Sequence, residues 1–183
     1  MMILPFSLVP FPGQAFPPGL AVEGTLGRHE ETLVFCPSIS GDLSMLEIPP
    51  ATGRPERRDG LWEETCLELF LGESGSESYL EFNLSPSGNW NVYRFDVYRK
   101  GMREEAAFDA LPFQVDREKG RLALSVELDL GKLFPPGRPL SAAVAAVVRT
   151  VSGEKSCWAL AHTSPRPDFH QRDAFRIRFP ASP

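Results

Sequence analysis

Hydrophobic and polar residues alternate along three neighbouring runs in the middle of the chain, at residues 66–71, 79–85 and 92–97. Alternation with a period of two places successive side chains on opposite faces of a β-strand. The short polar segments between the runs have the composition of turns. The pattern therefore predicts three consecutive strands of an antiparallel sheet, each with one face toward a hydrophobic core.

Short runs of the same kind recur on both sides of this central region, again separated by turn residues. They predict about ten strands in all, arranged as an all-β antiparallel β-sandwich with jelly-roll-like connections. An up-and-down barrel is the alternative architecture. Residues 43–48 predict a strand and residues 130–134 a single helical turn, whereas residues 102–110 fit either a short helix or a strand.

The distribution of prolines divides the chain into two expected segments. Residues 1–19 contain five prolines, which disfavour both a helix and a central strand, so an extended lead-in is predicted there. Residues 20–183 predict a single β-sandwich domain, because no repeat or internal linker interrupts them. Within this domain, residues 141–151 are almost wholly apolar, which is typical of a strand buried on both faces.

Charge and cysteine content narrow the function classes. The formal net charge of the 183 residues is −5 and no basic block occurs, so no nucleic acid is expected as a partner. The chain has no apolar run long enough to span a membrane and no signal-peptide pattern, so no membrane association is predicted. Cys36, Cys66 and Cys157 lie inside apolar runs, as buried thiols of a reducing compartment do. These features predict a cytoplasmic protein.

The polar positions of the three central strands suggest a binding surface. In a meander of these strands, Glu68, Glu81, Asn83 and Arg94 are expected to share one sheet face, with Trp62 at its rim. An aromatic ring can stack on the apolar face of a pyranose while acid, amide and guanidinium groups bind its hydroxyls. Glu68 and Arg94 are also expected to be able to pair with each other. The face therefore predicts a site for a small polar ligand, with a sugar as the favoured class.

Three segments carry a resemblance to a known group of proteins: LWEETCLELF, SYLEFNLSPSGNWNVYRFDVYRKG and CWALAHTSPRPDFHQRDAF. In these segments the chain resembles the DOMON-like group, which is related to family 9 carbohydrate-binding modules and to sugar- or haem-binding DOMON domains. It looks closest to bacterial stand-alone members of that group. The resemblance implies a β-sandwich, which agrees with the pattern of strands.

The resemblance also implies particular site residues. In family 9 modules two tryptophans sandwich a sugar, and one of them precedes a sugar-binding glutamate by six residues. Trp62 and Glu68 match that spacing. Trp158, on a late strand, is the candidate for the second tryptophan, and Arg94 is similar in position to an arginine of the sugar site.

The predicted function is therefore a non-catalytic ligand-binding module, with no catalytic residue, no metal and no cofactor. Glu68 and Glu81 could in principle serve as a hydrolytic carboxylate pair, but no catalytic motif accompanies them. The histidines of the segment HTSPRPDFH match no metal-binding spacing, and the role of this segment stays open. Two alternatives are kept: a module that binds a protein partner through the same sheet face, and a haem-binding DOMON-type domain.

Overall fold

The computed structural model describes residues 2–181 as two β-sheets packed face to face. Met1 and residues 182–183 lie outside the described residues. They belong to the expected segments 1–19 and 20–183, respectively. The strands, numbered in chain order, are β1 Met2–Ser7, β2 Val9–Pro10, β3 Ala21–His29, β4 Thr32–Ser40, β5 Cys66–Glu73, β6 Tyr79–Leu84, β7 Trp90–Phe95, β8 Arg103–Glu104, β9 Gln114–Glu118, β10 Arg121–Asp129, β11 Leu140–Arg149, β12 Lys155–Ala159 and β13 Ile177–Phe179.

All pairings between these strands are antiparallel. The smaller sheet has the order β1-β3-β4-β10-β9, and the larger has the order β2-β12-β11-β5-β6-β7-β8, with β13 also paired to β11. The three central runs of the sequence form β5, β6 and β7, which are adjacent in the larger sheet as the meander requires. The predicted antiparallel β-sandwich is confirmed.

The main core lies between the two sheets, where the inward-facing residues of both are buried. Leu67, Leu69 and Leu71 of β5 alternate onto this side and are fully buried. Phe35 and Ile39 of β4 meet them from the smaller sheet as members of the same cluster. Burial of apolar side chains from both sheets is the main stabilising contribution in this architecture.

The proline-rich first segment contributes an edge strand to each sheet. Within residues 2–181, β1 pairs only with β3, and β2 pairs only with β12. Pro5 and Pro10 lie in these two strands. Proline lacks a backbone donor and is therefore tolerated at a sheet edge, where one side of the strand has no partner strand.

Local capping explains where the strand prediction was wrong. Residues 43–48 do not form a strand; instead Leu43–Met45 is a 3-10 helix, because the Asp42 carboxylate accepts a hydrogen bond from the backbone N–H of Ser44. The helical turn expected at residues 130–134 is present as a 3-10 helix at Leu130–Lys132. None of the helical segments within residues 2–181 has the length and apolarity to cross a membrane.

The larger sheet is also covered on its outer face. Phe70 and Tyr79 point outward from β5 and β6 and pack against Phe175, which belongs to the long segment between β12 and β13. Arg172 fixes this segment, because its guanidinium donates to the carbonyls of Glu73 and Ser76 at 3.0 Å. The central strands of the larger sheet are thus buried on both faces.

Candidate functional site

A cleft of about 400 Å³ lies between the outer face of the larger sheet and the loops that cover it. We call it the outer cleft. Its volume falls within the range of small-ligand sites, roughly 300–1,000 Å³. The residues that line it are Trp62, Glu68, Glu81, Phe95, Arg99, Met102, Val147, Lys155, Cys157, Pro167, Phe169 and His170.

A second hollow, of about 550 Å³, lies among the loops around residues 49–64. Glu56, Asp59, Glu63 and Glu64 line it together with two arginines and several small residues, but no aromatic ring does. Small-ligand sites commonly combine apolar or aromatic walls with a few polar groups. The outer cleft has this combination, and the second hollow does not.

Two buried carboxyl groups form part of the floor of the outer cleft. Glu68 on β5 is paired in register with Asn83, and Phe70 with Glu81, so the two glutamates are diagonal neighbours on one sheet face. The exposed fraction of Glu68 is 1% and that of Glu81 is 5%. Because both positions alternate with the inward-facing leucines of their strands, the period-two pattern itself directs these acids outward.

The surroundings of the two acids raise their pKa values. Burial is the largest cause for Glu68, and the negative charge of Glu81 adds to it, while Lys155 acts in the opposite direction on the pKa. Burial raises the pKa of Glu81 to about 7, against a hydrogen bond from Asn83 and the charge of Arg99. In the protonated form that a raised pKa favours, a carboxyl group can donate as well as accept hydrogen bonds.

The hydrogen bonding of the two acids differs. Glu81 Oε1 accepts from the Asn83 side-chain amide at 2.9 Å, so that carboxyl has a fixed partner. Glu68 Oε1 is fully buried and has no hydrogen-bond partner among residues 2–181. A buried polar oxygen without a partner is costly, and it belongs to a side chain that lines the outer cleft.

A chain of hydrogen bonds sets the state of His170 beside Glu81. The Tyr79 hydroxyl accepts from the backbone N–H of Arg99 at 3.2 Å and lies 2.9 Å from His170 Nδ1. Burial, followed by the charge of Arg99, lowers the pKa of His170 to about 4, so the ring is neutral near pH 7. When the Tyr79 hydroxyl donates its hydrogen bond to Nδ1, the ring proton lies on Nε2, which faces Glu81 Oε2 at 3.8 Å.

Trp62 forms an aromatic wall at another side of the outer cleft. It lies in the 3-10 helix Leu61–Glu63, which Gly60 begins with a left-handed backbone conformation (φ +75°). The buried side chain of Leu61 anchors this turn in the protein, while the half-buried indole of Trp62 packs edge-on against Tyr93 at 5.8 Å. The Lys155 ammonium donates to the Trp62 carbonyl at 2.8 Å.

Asp168 holds two loops together beside the outer cleft. Its carboxylate accepts from the Tyr98 hydroxyl at 2.6 Å, the Arg99 guanidinium at 2.9 Å and the His170 backbone N–H at 3.1 Å. Arg99 has a left-handed backbone (φ +53°), which is uncommon for a residue other than glycine and is more frequent at functional sites. These contacts position Phe169 and His170 over the sheet face.

The structure brings three of the sequence-predicted residues together: Trp62, Glu68 and Glu81 all line the outer cleft. Asn83 is on the same sheet face but is fully buried, where it bonds to Glu81. It therefore supports the floor and does not line the cleft. The ligand-binding role of all four residues stays a prediction.

Two predicted positions were wrong. Arg94 faces the opposite side of the sheet from Glu68 and Glu81, because Glu81 is paired with Tyr93 and the faces of β7 alternate from there. Its guanidinium bonds to Glu105 at 2.5 Å, so the expected pair with Glu68 does not form. Trp158 is buried in the main core at 3% exposure, where its indole N–H donates to Ser156, and it cannot face Trp62 across the cleft.

Sequence reasoning missed several residues that line the outer cleft. Phe169 and His170 belong to the segment HTSPRPDFH, which matches no metal-binding spacing. They reach the cleft because tertiary contacts shape this loop, and no local sequence pattern predicts those contacts. Arg99 lies in the turn after β7 and Lys155 begins β12; both are exposed, as charged residues commonly are. Phe95 is the one of these residues that the sequence could have indicated. Aromatic residues occur on both faces of β7, and this pattern indicates that both faces are buried.

The metal-ligating side chains in residues 2–181 do not cluster: no group of three or more His, Cys, Asp or Glu residues could hold an ion. The fold and the outer cleft define the chain as an antiparallel β-sandwich with an acidic, aromatic-lined cleft on its larger sheet. No protein-family model matches the sequence, and no curated protein is similar to it in sequence.

Solved structures share the fold. A candidate carbohydrate-binding protein from Bacteroides uniformis matches with a TM-score of 0.69 and 11% identity, over 95% of this chain and 84% of that one. A family 9 carbohydrate-binding module from Caldicellulosiruptor kristjanssonii, solved in complex with cellotriose, matches with a TM-score of 0.52 and 10% identity, over 86% of this chain and 74% of that one. At these identities the likeness concerns the fold alone.

Proposed function

We propose that the protein binds a carbohydrate in the outer cleft and does not catalyse a reaction on it. The observation that carries the proposal is Glu68 Oε1, a buried carboxyl oxygen without a partner within residues 2–181, in a cleft that Trp62 also lines. A sugar hydroxyl is small and can both donate and accept a hydrogen bond, so it can serve as the missing partner of this oxygen. Rotation of this carboxyl toward a bound hydroxyl would therefore remove the cost of the unsatisfied group.

The walls of the outer cleft suit the two kinds of surface on a sugar ring. Trp62 and Phe169 offer apolar faces against which the C–H groups of a pyranose can pack. Glu68, Glu81 and Lys155 offer polar atoms for the hydroxyls. The combination matches the requirement that aromatic contacts supply burial while a few polar groups fix the orientation.

The structural neighbours support the same proposal. One is described as a candidate carbohydrate-binding protein and the other is a family 9 module bound to cellotriose. We therefore include a distant relation to family 9 modules in the proposal. The resemblance of the three sequence segments extends it to the DOMON-like group. A single β-sandwich domain in the cytoplasm completes it, and the three free cysteines are typical of that setting. Cell fractionation tests the proposed location. Recovery of the protein outside the cytoplasmic fraction would contradict it.

The electrostatics of the floor favour binding over hydrolysis. Glycoside hydrolysis needs two carboxyl groups whose pKa values are pushed apart, so that one is an acid while the other is ionised. Burial raises the pKa of both Glu68 and Glu81. Neither carboxyl therefore has the low pKa that keeps a nucleophile or base fully ionised near pH 7.

The alternatives have less support. A protein partner would need an accessible sheet face, whereas the loop segment with Phe169 and Phe175 covers much of the outer face and leaves a concave cleft. Haem ligation could draw on Met102 and His170, which both line the cleft. However, His170 Nδ1 is hydrogen-bonded to Tyr79, and the Glu81 carboxyl lies 3.8 Å from Nε2, the nitrogen that would have to reach an iron. Absorbance of the purified protein in the Soret region checks the haem alternative directly.

Calorimetric titration with glucose, cellobiose and cellotriose tests the proposal, with tryptophan fluorescence recorded in parallel. We expect saturable binding of at least one sugar and a loss of about tenfold or more in affinity for Trp62→Ala, because the stacking surface is removed. Phe16→Ala is the matched control, since it truncates a partly exposed aromatic residue that does not line the cleft. Unchanged affinity in Trp62→Ala, or no binding of any sugar by the wild-type protein, would contradict the proposal.

A further inference from the structure

The two carboxyl groups on the floor of the outer cleft point to a narrower class of ligand. We propose that the carbohydrate carries a cationic amine, as a 2-amino sugar does, and that this amine binds between the carboxyl groups of Glu68 and Glu81. The inference rests on the proposed function, because it assigns a ligand class to the same cleft.

The first step of the argument is the placement of the acids. Glu68 and Glu81 are diagonal neighbours on adjacent strands, both line the outer cleft, and both are at least 95% buried by their exposed fractions of 1% and 5%. Burial of two acids side by side is unfavourable unless a cation or shared protons compensate them. Glu68 Oε1 also lacks a hydrogen-bond partner among the described residues.

The second step is that the cations beside the outer cleft already have partners. The Arg99 guanidinium bonds to Asp168 at 2.9 Å, and the Lys155 ammonium donates to the Trp62 carbonyl at 2.8 Å. Both side chains belong to exposed residues, where water and salt screen their charge. Their charges act on the pKa values of Glu68 and Glu81 from a distance, but neither side chain forms an ion pair with these acids within residues 2–181, so the floor can still take a cation in direct contact.

The third step is the chemistry of an amine compared with a hydroxyl. An ammonium group has three donors and no acceptor, so it can bond to both carboxyl groups at once. Bonds between ionised partners are about twice as strong as those between neutral groups. A bound cation would also relieve the repulsion between Glu68 and Glu81, the second cause of the raised pKa of Glu68 after burial. A hydroxyl provides neither effect.

The aromatic side chains add a fourth contribution. Trp62, Phe95 and Phe169 line the same cleft as the two acids. The face of an aromatic ring attracts a cation and also packs against the carbons of a sugar ring. An amino sugar can use both properties of these rings, whereas a neutral sugar uses only the second.

A matched set of sugars tests the inference. Glucose, glucosamine and N-acetylglucosamine differ only at carbon 2, which carries a hydroxyl, a cationic amine or a neutral amide. Calorimetric titration at pH 7 is expected to show glucosamine binding about tenfold tighter or more than either neutral sugar. Repeating the titration in two buffers of different ionisation enthalpy is expected to show proton release with glucosamine, because the cation favours the ionised form of the floor.

The variant Glu68→Gln and its control sharpen the result. Glu68→Gln keeps the shape of the side chain and removes its acid, so we expect the affinity ratio of glucosamine to glucose to fall toward one. Glu127→Gln, an exposed acid on the smaller sheet, should leave the ratio unchanged. Tight glucose binding without a preference for glucosamine would overturn the inference and leave the proposed function standing. Absence of binding by all three sugars, and by the cello-oligosaccharides, would overturn both.

Discussion

The two faces of β5 are both buried, but they are buried in different ways. Leu67, Leu69 and Leu71 face the smaller sheet and belong to the continuous apolar core. Glu68 and Phe70, on the other face, meet loops and the outer cleft. One strand therefore contributes three leucines to the core and an acid to the candidate site.

The difference lies in what covers each face. The inner face packs against the side chains of a second sheet. Apolar residues on both sheets fill the space between them and leave no polar group without a hydrogen-bond partner. Loops offer backbone and side-chain polar atoms in irregular positions, and Asp168 and His170 are examples on the outer face. Burial of a polar group costs little free energy only where such hydrogen-bond partners exist. The inner face therefore contributes most of the stability, and the outer face carries the polar groups of the candidate site.

A core truncation on the inner face is expected to have the largest effect. Leu69→Ala removes a fully buried side chain from between the sheets and should lower the free energy of unfolding by about 2–5 kcal/mol. Urea denaturation at pH 7 measures the change. Sugar affinity, measured at a temperature where the variant is folded, should stay close to that of the wild-type protein.

Val151→Ala provides the control for this truncation, because Val151 is 69% exposed and its loss should change the unfolding free energy by no more than about 0.5 kcal/mol. A small effect of Leu69→Ala, similar to that of Val151→Ala, would mean that the inner face is not the main source of stability. A large loss of sugar affinity in the folded Leu69→Ala protein would mean that the two faces of β5 are coupled.

On the outer face, the acid Glu81 is expected to make stability depend on pH. Its ordinary pKa of 4.5 applies to the unfolded chain, and burial raises it to about 7 in the folded protein. Between these values the unfolded state releases the proton before the folded state does, so stability falls as pH rises. The loss should reach at most about 3 kcal/mol by pH 8, and Glu81→Gln should abolish this part of it.

Chemical denaturation of both proteins from pH 5 to pH 8 measures this difference. The lowered pKa of His170 acts in the opposite sense, since stability is lost as pH falls from 6.5 toward 4. His170 is present in both proteins, and comparison with Glu81→Gln cancels its contribution to first order. Identical pH profiles for the two proteins would show that the buried carboxyl is not protonated as described.

The strand pattern of the sequence predicted much of the fold because alternation is a local property. The three alternating runs form consecutive strands, and the predicted faces of β5 and β6 are those observed. In each of these two strands, one face is leucine and phenylalanine and the other carries acids or amides. The contrast between the two sets decides which face is the core.

The same reasoning was wrong for β7 because its two faces do not contrast. Trp90 and Val92 alternate with Asn91, Tyr93 and Phe95, so both faces carry aromatic residues. Burial of both faces removes the polarity signal that identifies the core side. The register with β6 fixes the orientation, and that register depends on pairing between strands rather than on the local pattern.

The candidate site was predictable only where it lies on strands. Glu68 and Glu81 follow from the alternation of β5 and β6. Phe169 and His170 reach the cleft through tertiary contacts, such as those of Asp168 with Tyr98, which join residues 70 positions apart in the chain. Trp158 was misplaced because an aromatic residue on a strand has two possible faces, and its resemblance to a second sugar-binding tryptophan did not decide between them.

The smallest expected effect concerns Arg94, which tests whether the two sheet faces are functionally separate. Arg94→Gln should change sugar affinity less than about twofold, because the side chain lies on the side of β7 opposite Glu81 and bonds to Glu105. Arg99→Gln is the matched comparison and should weaken binding more, since Arg99 lines the outer cleft. Calorimetric titration of both variants measures the difference. A tenfold loss in Arg94→Gln, with Arg99→Gln unchanged, would mean that the ligand binds on the inner side of the strand end and not in the outer cleft.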